Sequence, residues 1–417
     1  MTAVARSALR GRVGARVALA VSFVAVHLLL WWGNTVRIQN TSSSDTHVYL
    51  AWMEEWIRTG RLVGVDLPWV YPIGALPPMQ LALVLGPASY LAVWVAMVTL
   101  LDAVAMVLLA RRSLPAAWWW LACIALLGPV GLSHLDGVSV PFAVVGVLAI
   151  RRRPAVAAAL FTLAAWIKVW PAAMVAALVV AGRRRLAVLL AAAGTCAAVV
   201  AAALVAGARG TLFSFIGAQA TRGLQIEAPV SSPWLLWGAF GGDARIFYDR
   251  RIMTFEVQGR GVGTAAAVMT PVLAVGVAAV VALALVALRR GRDREEVLAF
   301  TALGLVSALI ALNKVGSPQY YDWLVAPVLL GLLSTRAFRL PAVLVLVVSA
   351  LTFLIYPVGY TAILGLQPAI VGVLALRDLA VVVLFAWSLW RLAVLQRRPG
   401  WGTRPARPPG AGLSPGS

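Results

Sequence analysis

Charge is scarce in this sequence: 12% of its 417 residues are charged, 62% are hydrophobic, and the mean hydropathy is +0.90. A water-soluble domain carries about 25% charged residues. A chain this apolar cannot cover its own surface with polar groups, which excludes an ordinary soluble fold and makes lipid its solvent. Acidic residues are rarer still, 15 against 35 basic ones, for a formal charge of +20. In a soluble chain that imbalance would suggest nucleic acid. Here the basic residues sit in short clusters between apolar runs, and no nucleic-acid partner is expected. Cysteine is limited to Cys123 and Cys196, both inside apolar runs, so they read as small buried hydrophobes and give no disulfide framework. Lysine is nearly missing: Lys168 and Lys314 stand alone among arginines. No nucleotide-phosphate loop, metal-ligand spacing or Ser-His-Asp order occurs, so neither a nucleotide-sugar donor nor a metal or other cofactor has support.

What is present is a succession of apolar stretches: 13–32, 90–110, 116–132, 138–150, 155–167, 171–182, 186–206, 265–288, 297–312, 323–335, 341–356 and 369–395. Arginine clusters follow every second one, at 111–112, 151–153, 183–185, 289–294, 336/339 and 397–398. The positive-inside rule places all of them in the cytoplasm. The alternation predicts an all-α integral membrane bundle of about twelve spans in the cell membrane, both termini cytoplasmic. One transmembrane domain is expected over 1–398, with long extracytoplasmic loops at 34–73 and 207–263. The Pro- and Gly-rich residues 399–417 read as a disordered cytoplasmic tail. The arginines of the first 16 residues resemble a signal peptide, but no cleavage pattern follows, so 13–32 reads as a retained helix. Gly74–Leu85 does not fit the count and is expected to start the next helix or to form a shallow re-entrant piece. Several stretches between 138 and 182 fall short of the ~20 residues that cross a bilayer. Either these helices run on into the loops, or they line a water-filled cavity open on the outer side.

The first outer loop places Asp45 directly before Val48, Trp52 and Trp56, whose spacing predicts a short amphipathic helix at the membrane interface. Asp45 reads either as a helix N-cap or as a catalytic carboxylate, and the two roles are compatible. His47 and Tyr49 follow on the same helix. Lys168 and Lys314 fall at outer helix ends, against the charge bias, and Arg222 lies in the long outer loop. A lysine there can snorkel for solvation; all three can instead receive an anion, with arginine the better bidentate phosphate ligand. His134, Asp136, Gln319, Tyr320 and Asp322 are expected near the same mouth. Asp102 and the Arg377-Asp378 pair fall within or near spans and read as structural partners, outside the site. The segment 241–260 reads as a soluble flap over the cavity, or as a contact for an anionic acceptor.

Several short motifs carry a resemblance. Asp45 is followed by Tyr71-Pro72, and beyond lie His134-Leu135-Asp136-Gly137, Ala165-Trp166-Ile167-Lys168-Val169-Trp170-Pro171, Arg222-Gly223-Leu224-Gln225-Ile226-Glu227 and Asn313-Lys314-Val315-Gly316-Ser317-Pro318-Gln319-Tyr320. In order and placement they resemble glycosyltransferase family 87, the actinobacterial GT-C enzymes that include polyprenyl-phosphate-mannose-dependent α-mannosyltransferases. The likeness spans roughly residues 40–330. It departs at Ile73, where a second proline is usual, and at Ala228, where a serine is common. The resemblance implies an inverting hexosyltransferase that moves a sugar, mannose, from a polyprenyl phosphate to a lipid or cell-envelope glycan on the extracytoplasmic side. Asp45 would be the general base. Lys168, Arg222 and Lys314 would bind the donor phosphate, and His47, Tyr49, His134, Asp136, Glu227, Gln319 and Tyr320 would bind substrate. Membrane lipid would surround the chain. Alternatives are the same fold acting on arabinofuranose or glucose, a transporter or flippase of envelope precursors, and a non-catalytic assembly subunit.

Overall fold

The computed structural model describes residues 3–36, 45–220, 222–250 and 252–395. The tail 399–417 and Ser42–Ser44 lie outside them. The described residues are mostly helical. In order it forms α1 (Ala3–Val36), α2 (Asp45–Thr59), α3 (Leu76–Ala82), α4 (Tyr90–Arg112), α5 (Leu114–Leu127), α6 (Val130–Ser133), α7 (Leu135–Ala149), α8 (Pro154–Ile167), α9 (Ala172–Ala181) and α10 (Arg185–Val205). Then come α11 (Ser214–Ala220), α12 (Ser232–Ala239), the hairpin β1 (Arg245–Asp249) and β2 (Thr254–Gln258), α13 (Val262–Arg289), α14 (Arg294–Ala311), α15 (Val325–Leu332), α16 (Arg339–Phe353), α17 (Tyr360–Leu364) and α18 (Pro368–Val394). Each of the twelve apolar stretches contains a helix.

Six helical segments are long and apolar enough to cross a membrane: Val13–Gly33, Pro87–Arg112, Arg185–Val205, Val262–Arg289, Arg336–Val358 and Pro368–Val394. The protein is a multi-pass membrane protein. Exposed Val17, Val21, Leu29, Leu186, Leu190 and Val275 lie on these helices. Apolar side chains on such a surface meet acyl chains, so their exposure carries no hydrophobic cost. The shorter helices α5, α7, α8 and α9 do not run on into the loops. They are packed inside, and α7 and α14 are buried along most of their lengths. Ten-residue α9 rises only about 15 Å, so it needs neighbours to shield its ends.

Sequence signals set these ends. Pro115, Pro154 and Pro368 occupy first-turn positions, where a missing N–H is harmless. The Ser113 hydroxyl accepts from the N–H of Ala116, and Asp293 accepts from that of Glu296 at 3.0 Å. Short connections keep the arginine-bearing helix ends on one face of the bundle. There Arg151 pairs with Glu295 at 2.5 Å, Arg391 pairs with Glu296 at 2.6 Å, and Arg294 donates to the Ala181 and Gly182 carbonyls. The opposite face carries α2, α11, α12 and the hairpin. Gly74–Leu85 is neither a span nor the start of α4. It is a tight turn followed by seven-residue α3, separated from α4 by Gly86, whose φ of +84° only glycine adopts without strain.

Within the bundle, His27 of α1 contacts Asp102 of α4 at 3.3 Å, so Asp102 does pair with another helix. Both cysteines are free thiols: Cys123 is buried, and half-buried Cys196 accepts from the Trp166 indole N–H.

Candidate active site

Helix α2 is held by aromatic packing. The buried face presents Thr46, Tyr49 and Met53, while Val48, Trp52 and Trp56 are half-buried. The tryptophan face expected at the lipid interface thus meets protein: Trp52 packs edge-on against Trp69 and Tyr71, and Tyr49 packs against Trp94. Such contacts are each worth about 0.5–1.5 kcal/mol beyond area burial, so α2 is a fixed shelf. Asp45 stands at its first position.

One carboxylate oxygen of Asp45, Oδ2, gathers three neighbours. The Tyr49 hydroxyl donates at 3.3 Å, the Gln319 amide donates at 3.4 Å, and His134 Nε2 stands 3.7 Å away. The other ring nitrogen of His134, Nδ1, lies 2.9 Å from the Val130 carbonyl. Nδ1 also lies 3.0 Å from the Ser133 hydroxyl, and Nε2 is the ring nitrogen that faces Asp45. Burial, followed by Tyr71 and Asp45, pushes the Tyr49 phenol well above its ordinary range, keeping it a donor.

Asp45 lines a cavity of about 560 Å³, a size suited to a small-molecule ligand. Lys168, Arg222 and Lys314 line it too, with Gln225, Gln319 and Tyr320 and the aromatic side chains of Trp52, Tyr71, Trp170 and Trp323. Lys168 follows the last residue of α8, where the chain turns extended at Lys168 itself. Its Nζ lies 3.3 Å from Asp136 Oδ2 and sits over the Tyr71 ring at 4.8 Å and the Tyr320 ring at 5.6 Å. Asp136 is buried in the first turn of α7, and its Oδ1 accepts from the Trp323 indole N–H at 2.5 Å.

Arg222 and Lys314 come from loops far apart in sequence that are stitched together. The Gln225 N–H donates to the Lys314 carbonyl at 3.0 Å, and the Gly316 N–H donates to the Gln225 side-chain oxygen at 3.1 Å. The flap expected over 241–260 is the antiparallel hairpin, in register from Arg245 opposite Gln258 to Asp249 opposite Thr254. Ile252, Met253 and Thr254 at its tip line the cavity. Glu256 in β2 accepts from the Gly223 N–H at 2.8 Å, and Val257 N–H donates to the Leu224 carbonyl at 2.8 Å. The residues after Arg222 therefore run beside the hairpin like a third strand.

Of the seven expected substrate residues, Gln319 and Tyr320 line the cavity; Tyr49, His134 and Asp136 do not line it but contact Asp45 or Lys168, and His47 and Glu227 stand off it. His47 is half-buried on α2 and does not line the cavity. Glu227 turns away into a buried cluster: Arg377 donates to it at 2.9 Å and to Asp378 at 3.0 Å, and Asp378 also receives the Ser232 and Tyr321 hydroxyls. Arg377, fully buried, lies over the Tyr321 ring at 4.3 Å. The pair set aside from the sequence is thus joined to a motif residue. Asp322, also expected at the mouth, is buried and does not line the cavity. Tyr71, Trp170 and Trp323 enter the cavity wall without having been singled out as ligands; Tyr71 and Trp170 stand in the quoted motifs, and Trp323 three residues past Tyr320 at a helical spacing. No cluster of His, Cys, Asp and Glu suited to a metal ion occurs among the described residues.

The model of glycosyltransferase family 87 matches residues 69–312, more than half of the chain. The match begins after Asp45 and ends just before Lys314. No curated protein and no solved structure matches. A cavity lined by carboxylate, cations and aromatic rings at one end of a helical membrane bundle agrees with the family match, and the chain is a membrane glycosyltransferase belonging to glycosyltransferase family 87.

Proposed function

We propose that the protein transfers a hexose, mannose by its family likeness, from a polyprenyl phosphate to a hydroxyl of a lipid or cell-envelope glycan on the extracytoplasmic side. The observation that carries this reading is the shared cavity: one wall bears a carboxylate with two hydrogen-bond donors on a single oxygen, and another bears Arg222 and Lys314. A sugar on a lipid phosphate is already activated, because the phosphate leaves readily. Catalysis then requires three things: removing the acceptor proton, placing the acceptor oxygen in line with the anomeric carbon, and balancing the charge on the departing phosphate.

In this scheme Asp45 takes the proton from the acceptor hydroxyl. The acceptor oxygen forms its bond to the anomeric carbon as the bond from that carbon to the phosphate oxygen breaks, with its electron pair staying on the phosphate. Configuration inverts. Tyr49 and Gln319 hold Oδ2, orienting the carboxylate towards the cavity, and His134 Nε2 stands 3.7 Å from the same oxygen. Arg222 supplies a planar donor fork for the phosphate and Lys314 a point charge. The arginine-bearing face of the bundle is the cytoplasmic one by the positive-inside rule, which puts the cavity outside.

Membranes containing wild type or Asp45→Asn, given synthetic polyprenyl-phosphate mannose and a glycolipid acceptor, test the reading. Wild type should transfer mannose, and the variant should lose about 10²–10⁴-fold in rate. Unchanged turnover in Asp45→Asn would remove this residue as the base.

A further inference from the structure

Lys168 is already neutralised by its surroundings. Its ammonium group lies 3.3 Å from buried Asp136 Oδ2 and over the faces of two tyrosine rings. A phosphate brought up to Lys168 would be brought up to Asp136 as well, so attraction and repulsion would largely cancel. Arg222 differs: its Nε is buried without a hydrogen-bond partner, although the residue lines the cavity. A buried donor left unpaired is costly until a ligand meets it.

Asp136 is fully buried and does not line the cavity; Trp323 takes its Oδ1, and its Oδ2 faces the Lys168 ammonium. What meets the cavity is therefore an ammonium donor whose charge is already balanced. A neutral hydroxyl accepts from such a donor without adding net charge. Around the pair, Tyr71, Trp170, Tyr320 and Trp323 supply ring surfaces, with Tyr320 stacked on Trp323 at 4.1 Å. Apolar ring faces suit the C–H faces of a pyranose. Lys168, Tyr320 and Arg222 all line the one cavity, as a sugar–phosphate linkage requires.

We infer that Lys168, neutralised by Asp136 and walled by Tyr71 and Tyr320, binds hydroxyl groups of the transferred sugar, and that the donor phosphate sits beside it at Arg222. This rests on the polyprenyl-phosphate-sugar reading above. Lys168 then selects the sugar, and Arg222 holds the lipid phosphate whether or not a sugar is attached.

Full-length protein in lipid nanodiscs separates these roles through two probes, polyprenyl-phosphate mannose and sugar-free polyprenyl phosphate. Lys168→Met should weaken binding of the mannosyl donor about 10- to 100-fold, as expected for losing hydrogen bonds to a charged group. It should leave sugar-free polyprenyl phosphate unaffected. Arg222→Gln should weaken both probes alike. Equal loss of both probes in Lys168→Met would overturn the inference and return Lys168 to the phosphate. A second arm leaves the Lys168 side chain intact. Donors lacking one hydroxyl at a time are compared on wild type and Asp136→Asn. One deoxy donor should bind at least about 10-fold more weakly to wild type, and that difference should shrink in the variant. Indifference of wild type to every deoxy donor would also overturn it. If wild type binds no sugar-free polyprenyl phosphate at all, the parent reading falls instead.

Discussion

Replacing Arg377 with glutamine takes the guanidinium out of a cluster that has no access to water. Arg377 and Asp378 are among the most deeply buried charged residues, and Glu227, at 3% exposure, is the third member. With the arginine gone, two carboxylates at 2.9 and 3.0 Å from its nitrogens lose their counter-charge together. Breaking a buried pair by removing one partner costs about 3–5 kcal/mol, because the remaining charge stays desolvated. Loss of the cation over Tyr321 adds about 0.5–2 kcal/mol. The variant should unfold at distinctly lower denaturant in an SDS titration of detergent-solubilised protein. Neutralising the partners tests the cause: Arg377→Gln combined with Glu227→Gln and Asp378→Asn should recover most of the loss, since a neutral hydrogen-bonded cluster carries no unpaired charge. An Arg377→Gln protein within about 1 kcal/mol of wild type, or a triple variant less stable than the single one, would refute the reasoning.

Two further outcomes are expected. At Gly316, an added Cβ would collide with the backbone of Glu227 and Ala228; Gly316→Ala should push apart the loops that carry Arg222 and Lys314, costing about 1–3 kcal/mol of stability and reducing transfer in a membrane assay. Tyr71, pushed up to about 12 chiefly by burial, keeps its proton where an unfolded tyrosine loses it near 10. Between those values the folded state binds more protons, so stability should fall as pH rises from 10 to 12, and fall less steeply in Tyr71→Phe, followed by thermal melting.

Much of this architecture can be read from local pattern. Alternating arginine clusters and apolar runs mark the helices of the bundle but not the short α2, α3, α11, α12 and α17, because bilayer solvation acts on every apolar stretch separately. Asp45, Lys168, Arg222 and Lys314 stand out for a similar reason: each is an isolated charge at a helix end or in a loop of an otherwise apolar chain. What local pattern does not carry is pairing across long separations. Glu227 looks like a ligand beside Arg222 until Arg377, 150 residues on, claims it. Lys168 looks like a bare cation until Asp136 and two tyrosine rings close on it. The brevity of α7, α8 and α9 admits two meanings in sequence, a run-on into the loops or a water-filled cavity, and the structure shows a third: they are shielded by neighbouring helices and do not line the cavity. Trp52 and Trp56 have the look of an interfacial belt, because aromatic residues suit lipid headgroups and protein rings equally well.

The stitching of the 222–226 segment to 313–316 has a consequence for evolution of the enzyme. A membrane helix can drift by a turn only if everything threaded on it drifts too, whereas a surface ribbon can be exchanged almost freely. Here the arginine opens the segment that runs beside the ribbon and the second lysine sits in the loop just past a buried helix, with Gln225 as the rivet between them. Reshaping the hairpin to admit a bulkier glycan would therefore shift Arg222 only as far as that rivet allows, so diversity should accumulate at the hairpin tip, around Ile252 and Met253, rather than at its root near Glu256.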